Sequence, residues 1–231
     1  MGHWTHRNAT QEAWNYLETE IAADISLVQE SAPPAERKNE YCVWHEIGGT
    51  GKWGSGVLTK LMPVKEFQLE RNDYTGALTV AEVTLPDKTT LFAVSAYGQM
   101  DKYGYSITTL HRMLSDRTHL FEGGISHGRR PLVIFGGDLN ASPQFDDDRG
   151  HKTHRIFFQR IEAFDLMDCQ GEFGKDRPRT LRHSKSDFPW VNDYIFASKS
   201  LAQKVVAREV IEQPKTLNLS DHNPVVVTFD L

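Results

Sequence analysis

A chain of 231 residues with 39% hydrophobic and 25% charged residues can bury a substantial core, and no low-complexity linker divides it, so one domain over residues 1–231 is expected. No apolar run nears the roughly 20 residues of a membrane span, and Met1 to Asn8 are polar where a secretion signal would be apolar; a soluble, cytoplasmic and monomeric protein is expected. The net charge of -5 argues against a protein that coats nucleic acid, because such binding draws on Lys and Arg displacing counterions. Cys42 and Cys169 have no metal-like spacing, which leaves a reducing compartment and two small buried side chains as the simplest reading.

In chain order, Asn8 to Ala23 reads as a helix capped by Asn8 or Thr10, with Ala13, Trp14, Leu17 and Ile21 on one face. It runs into the strand Asp24-Ile25-Ser26-Leu27-Val28-Gln29-Glu30, which ends in a carboxylate. Strands follow around Tyr41 to Trp44, Gly56 to Leu58, Leu78 to Leu85 and Thr90 to Tyr97, the last two joined by a Pro86-Asp87-Lys88 turn. Ile107, Leu110 and Leu114 form the stripe of a helix capped by Ser106, and Phe157, Ile161 and Phe164 mark another. Asp193 to Ala197, Val205 to Ile211 and Val225 to Phe229 complete the strands. Helices alternating with strands, some in hairpin order, give a mixed α/β architecture.

The most informative segment is Leu132-Val133-Ile134-Phe135-Gly136-Gly137-Asp138-Leu139-Asn140. Its apolar run has the length and branching of a buried strand, and the two glycines let the backbone turn or approach a ligand. Residues two apart on an extended segment share a face, so Asp138 and Asn140 point into one space at a sheet rim. A carboxylate beside a neutral amide suits a hard cation next to a phosphate, since the amide binds oxygen without adding repulsion.

Four signposts stand in order along the chain: Gln29-Glu30, Gly137-Asp138-Leu139-Asn140, Asp193-Tyr194 and Ser220-Asp221-His222. In type and order, from Asp24 to the C-terminus, they resemble the endonuclease/exonuclease/phosphatase superfamily, the deoxyribonuclease I-like metal-dependent phosphohydrolases. The segment Gly54 to Lys60 and the strand ending at Tyr97 fit the same pattern. The resemblance implies a four-layer α/β/β/α sandwich with the active site at one rim. It implies a magnesium or manganese ion held by Glu30, with Asp221 as ligand or acceptor on the metal side. Asp138 would orient or deprotonate the attacking water, Asn140 would bind a phosphate oxygen, and His222, paired with Asp193, would donate to the phosphate or move a proton. Tyr97 takes the place of a phosphate-contacting phenol.

The chain departs from that pattern in two places. Family members begin with a strand ending in an asparagine, and no such strand precedes the first helix here, so an internal start, a missing strand and an unpaired sheet edge are expected. Trp190-Val191-Asn192 also lacks the arginine that many family nucleases place two residues before the aspartate. The expected function is a magnesium-dependent phosphodiesterase acting on DNA or RNA. The alternatives are hydrolysis of a lipid headgroup or small phosphoester, and a catalytically impaired binding module. A basic stretch, Lys175, Arg177, Arg179, Arg182 and Lys185, borders either a phosphate-bearing substrate or plain solvent, and Arg129-Arg130 is a second basic pair. Asp146-Asp147-Asp148 reads as a solvated helix cap, with a cation site as the alternative, His151 and His154 lack a third zinc ligand, and Trp53 and Trp190 read as packing residues, with stacking on a base or sugar as the alternative.

Overall fold

The computed structural model describes residues 7–48, 53–68, 74, 76–100, 106–122, 132–146, 152–171, 177–182, 187–212 and 218–231. Helix α1 (Arg7–Tyr16) runs into a π-helical turn, Leu17–Ile21, closed by Ala22 in the left-handed region at φ 49°. Strands β1 (Ile25–Ser31), β2 (Cys42–Glu46) and β3 (Gly54–Thr59) form a three-stranded sheet in the order β1-β3-β2. Next come β4 (Val64–Glu66), β5 (Leu78–Thr84), β6 (Thr90–Ala96), α2 (Ile107–Asp116), α3 (Thr118–Glu122) and β7 (Leu132–Asp138). Helix α4 (Thr153–Ala163), β8 (Leu166–Asp168), β9 (Asp193–Ser198), α5 (Lys199–Ala202), β10 (Val205–Val210) and β11 (Val225–Phe229) complete the chain.

The large sheet has six strands in the order β4-β5-β6-β7-β9-β8, and β10 and β11 pair separately. Alternation along the central strands gives this sheet two apolar faces. Val94, Ala96, Val133 and Phe135 pack against Leu110, Met113, Leu114, Phe157 and Ile161 from the helices. Leu91, Ala93 and Ile134 pack against Val43 and Val57 of the small sheet, with Leu27, Val227 and Phe229 beside them. Helix α1 covers the far side, where Ala13 and Tyr16 meet Leu219. Helices, sheet, sheet and helix are therefore stacked as a four-layer α/β sandwich, as the motif order implied.

No strand precedes α1 among the described residues, and β1 there pairs with β3 alone, while β11 pairs with β10 alone. The free edges of β1 and β11 flank a largely apolar cleft of about 750 Å³, floored by Leu91, Ile134 and Ile195.

Several boundaries shift. Strands β4 and β8 and helix α5, of three, three and four residues, are too short to leave a periodic signal. Ser106 makes no side-chain cap on α2; its hydroxyl instead donates to the Asn140 carbonyl at 2.6 Å. The Pro86 to Lys88 turn forms as expected, with Thr89 N–H donating to the Asp87 carboxylate at 2.9 Å and Lys88 at φ 71°. No helix among the described residues is long and apolar enough to cross a membrane.

Gly137 sits at φ 135°, where a Cβ would lie 2.2 Å from the Ala96 carbonyl and 2.5 Å from the Gln29 amide nitrogen. Gly137→Ala is therefore expected to lose roughly 3 kcal/mol of stability through combined strain and clash, read as a lowered midpoint in urea unfolding.

Candidate active site

The site grows from a cross-strand pair. β7 and β9 run antiparallel with Asp138 directly opposite Asp193, so both carboxylates leave the sheet at one rim and on one face. His222 stands three residues ahead of the start of β11 and reaches across to both. Its Nδ1 lies 2.8 Å from Asp193 Oδ2, and its Nε2 lies 3.8 Å from Asp138 Oδ2. One ligand-type atom from each of the three falls within 4.8 Å of the others, the one such group among the described residues.

Asp138 is buried at 3% exposure, and its neighbours fix its rotamer. Asn140 N–H donates to Oδ1 at 2.9 Å, and the Asn140 amide donates to Oδ2 at 3.3 Å. Gln29 bridges the two sheets beneath it, giving its amide to Ser95 Oγ at 2.9 Å and accepting the Asp138 N–H at 3.3 Å. Gly98 N–H donates to the Asp138 carbonyl at 2.8 Å. That close approach needs glycine, because a Cβ there would sit 1.8 Å from the Leu139 carbonyl oxygen.

Glu30 enters through a strand irregularity. The β1–β3 register shifts between Val28 and Ser31, and Glu30 takes φ 49°, so the bulge redirects its carboxylate. Tyr97 OH donates to Glu30 Oε1 at 2.6 Å and also meets the Asn140 side chain. Asn140 itself adopts φ 45°. Two non-glycine residues in the left-handed region at one rim represent stored strain of the kind found at functional sites.

Electrostatics divide the cluster. Burial raises the Asp138 pKa and the Asp193 charge raises it further, while His222 opposes both. For His222, burial works against the imidazolium, but Asp193 and Asp138 together outweigh it and hold its pKa above the ordinary value. Burial raises the Tyr97 phenol, and its hydrogen bond and proximity to Glu30 add to the rise. The phenol therefore stays protonated as a donor. An acid held near neutrality, facing an imidazole held cationic, can accept a proton on one side and donate one on the other.

Of the seven residues expected from sequence, six form one connected chain: Glu30, Tyr97, Asn140, Asp138, His222 and Asp193. Asp221 does not join it by any contact seen. It is exposed, its carbonyl accepts from Arg182 N–H at 2.8 Å, and its charge acts on the Arg182 guanidinium. The Asn140 amide protons turn inward, onto Asp138 and Gly98, each at 3.3 Å.

The basic stretch is a correction. Arg177 is buried and bound to Asp168 at 2.6 Å, Arg179 pairs with Glu212, and Arg182 bonds Asn223 and the Ser220 carbonyl. Arg177 and Arg182 brace the fold, while Arg179 keeps an exposed ion pair; Lys175, Lys185 and Arg129-Arg130 lie outside the described residues. Asp146 accepts the His154 and Arg155 N–H groups, each at 3.0 Å, as a helix cap should; Asp147, Asp148 and His151 are outside the described residues. Trp53 packs edge-on to Tyr97, and Trp190 stacks on Phe145 and meets Phe188 at a tilt.

Sequence reasoning missed Asn192, whose amide donates to Asn140 Oδ1 at 3.4 Å. It also missed Thr180, which bonds the main chain of Asn192 and Asp193. Neither follows from a local pattern; their adjacency to Asp193 in the chain or in space is the only signal.

Residues 9–222 match the model of the Endonuclease/Exonuclease/phosphatase family. No curated protein is significantly similar in sequence. Among solved structures, an AP endonuclease from Archaeoglobus fulgidus superposes with TM-score 0.67 at 18% identity, over 93% of this chain and 92% of that one. A 3'-5' exonuclease from Neisseria meningitidis gives 0.68 at 17% identity, over 97% and 96%. A Neisseria 3' phosphatase bound to a product DNA hairpin gives 0.65 at 18%, over 97% and 95%. At these identities the likeness is one of fold.

Proposed function

This chain belongs to the endonuclease/exonuclease/phosphatase family, a family of phosphoester hydrolases, and from that premise we propose that it is a magnesium- or manganese-dependent phosphodiesterase acting on DNA or RNA. The observation that carries this reading is the buried Asp138 facing His222, itself paired to Asp193. Nucleic acid as the substrate draws support from the Neisseria structure of similar fold that holds a product DNA hairpin.

In this reading Asp138 takes the proton of the attacking water. Its raised pKa makes it a better acceptor near neutral pH than an exposed carboxylate, and Asn140 holds its rotamer. His222, oriented by Asp193, turns Nε2 toward the same space and donates to a phosphate oxygen. A second donor is the Tyr97 phenol, kept protonated by its burial and then by Glu30, which would have to release the phenol proton it accepts in the structure. Asn140 orients Asp138 in the structure, and a direct contact to phosphate would exchange one of its two long amide bonds.

Glu30 would hold the metal; Asp221, exposed and without a contact to the cluster, would serve as ligand or acceptor only after its side chain turns toward the site. The donor set fits: carboxylate oxygens suit a hard cation that keeps much of its water shell, and the bulged backbone sets the Glu30 carboxylate at the cluster's rim. Such an ion, when bound, neutralises phosphate charge and stabilises the departing oxygen.

A second reading, a lipid headgroup or small phosphoester, gains support from one observation. Arg177, Arg179 and Arg182 each bind a partner within the chain, so among the described residues this stretch offers less free cationic surface for a nucleic-acid backbone.

The test is product release from a panel of DNA, RNA, phospholipid headgroups and small phosphoesters, with magnesium, with manganese and with chelator. The expected result is nucleic-acid cleavage that chelator abolishes and magnesium restores. Turnover confined to small or lipid phosphoesters would move the assignment to the second reading, and binding without turnover would support an impaired module.

A further inference from the structure

Residues 179–182 form no strand, yet they lie between the segments that carry both partners of the Asp193–His222 pair. Leu181 bridges Trp190 on one side and His222 on the other. Thr180 is the centre of this junction and is fully buried. Its hydroxyl oxygen accepts two successive main-chain N–H groups, Asn192 at 2.9 Å and Asp193 at 3.0 Å. Two consecutive N–H groups converging on one oxygen make a nest-like cradle, filled here by a side chain. The same residue accepts the Asn223 N–H at its carbonyl, 2.7 Å away. Asn223 directly follows His222, so one buried residue grips the backbone beside each member of the pair.

We propose that Thr180 is a positioning residue that sets the register of Asp193 against His222. Its hydroxyl fixes the first residue of β9 while its carbonyl fixes the turn entering β11. Without the hydroxyl, two buried N–H groups lose their acceptor, and β9 is free to move relative to His222 where the pair must meet at 2.8 Å. Among the described residues no other side-chain oxygen accepts either of these two N–H groups.

The inference rests on the hydrolase reading only for its kinetic test; a spectroscopic test stands apart from it. Thr180→Val keeps the volume and removes the acceptor, whereas Thr180→Ser keeps the acceptor. With histidine labelled in ¹⁵N, the His222 Nδ1 proton, assigned by its loss in His222→Asn, is expected as a downfield, exchange-protected signal. It should persist in Thr180→Ser and be lost or shifted upfield in Thr180→Val. On a cleaved substrate, Thr180→Val should lower kcat on the order of 100-fold, as a misplacement near 1 Å does, with KM nearly unchanged, and Thr180→Ser should recover most of it.

On an Asp193→Ala background, Thr180→Val should cost nothing further, because it acts through Asp193. An equal loss on both backgrounds would mark a merely structural role and overturn the proposal, as would an unchanged His222 signal in the valine variant. Should Thr180→Val not fold, Thr180→Ala provides the same comparison. A wild-type protein without hydrolysis removes the functional reading but leaves the His222 signal to decide this one.

Discussion

Asp138→Asn is expected to lower kcat by roughly two to four orders of magnitude, the range of a positioned proton acceptor, while substrate affinity stays within a few-fold. The amide is nearly isosteric with the carboxylate. Asn140, Gln29 and Gly98 hold the Asp138 backbone and one face of its side chain, so the fold should survive. What disappears is the buried basic oxygen 3.8 Å from His222. Its burial makes this loss large, because the other carboxylate of the cluster among the described residues, Asp193, is already paired with His222 Nδ1. Product release on a gel, paired with equilibrium binding to an uncleaved analogue, separates the two effects. Near-normal turnover by this variant would remove Asp138 from the chemistry.

The second large effect belongs to His222→Asn, with an expected loss of about 100-fold or more and a change in the shape of the pH profile. In the native protein Asp138 must be ionised and His222 protonated. Asp138 has its pKa raised by burial, so activity should climb with pH through a limb above the ordinary carboxylate range. His222 is held cationic by Asp193 and Asp138 against its burial, so activity should fall only above the ordinary imidazole range. Removing the imidazole deletes that alkaline limb. It also removes the charge that lowers the Asp138 pKa, so the acid limb should move to higher pH. Measuring kcat/KM against pH for both proteins checks both signs; an alkaline limb retained by His222→Asn would assign it to another group.

The two variants share a cause. Asp138, His222 and Asp193 lie within one 4.8 Å cluster, so their effects should be non-additive. Combining them should cost little more than the larger single loss.

Much of this was legible along the chain. Strand β7 announced itself through an unbroken apolar run, and the polar residues at its end stand where expected. The strands carrying Glu30, Tyr97 and Asp193 were readable for the same reason, since alternation and apolar runs are properties of neighbouring residues. Other features had no such local trace. The three-residue strands β4 and β8 exist because longer neighbours offer them an edge. Ser106 looked like a helix cap and instead supports the Asn140 carbonyl. Arg177, Arg179 and Arg182 looked like one basic surface and are divided among Asp168, Glu212 and Asn223.

The sequence by itself determined the kinds of chemistry present at the strand ends and the order in which they occur, because side-chain type and strand periodicity are local. Only the tertiary structure decided which of them meet. Asp138 opposes Asp193 through cross-strand register, Glu30 turns inward through a bulge, and His222 reaches Asp193 although 29 residues separate them. Asp221, its immediate neighbour, faces solvent instead. Register and packing are set by contacts summed over whole sheets, and no short stretch of chain contains that sum.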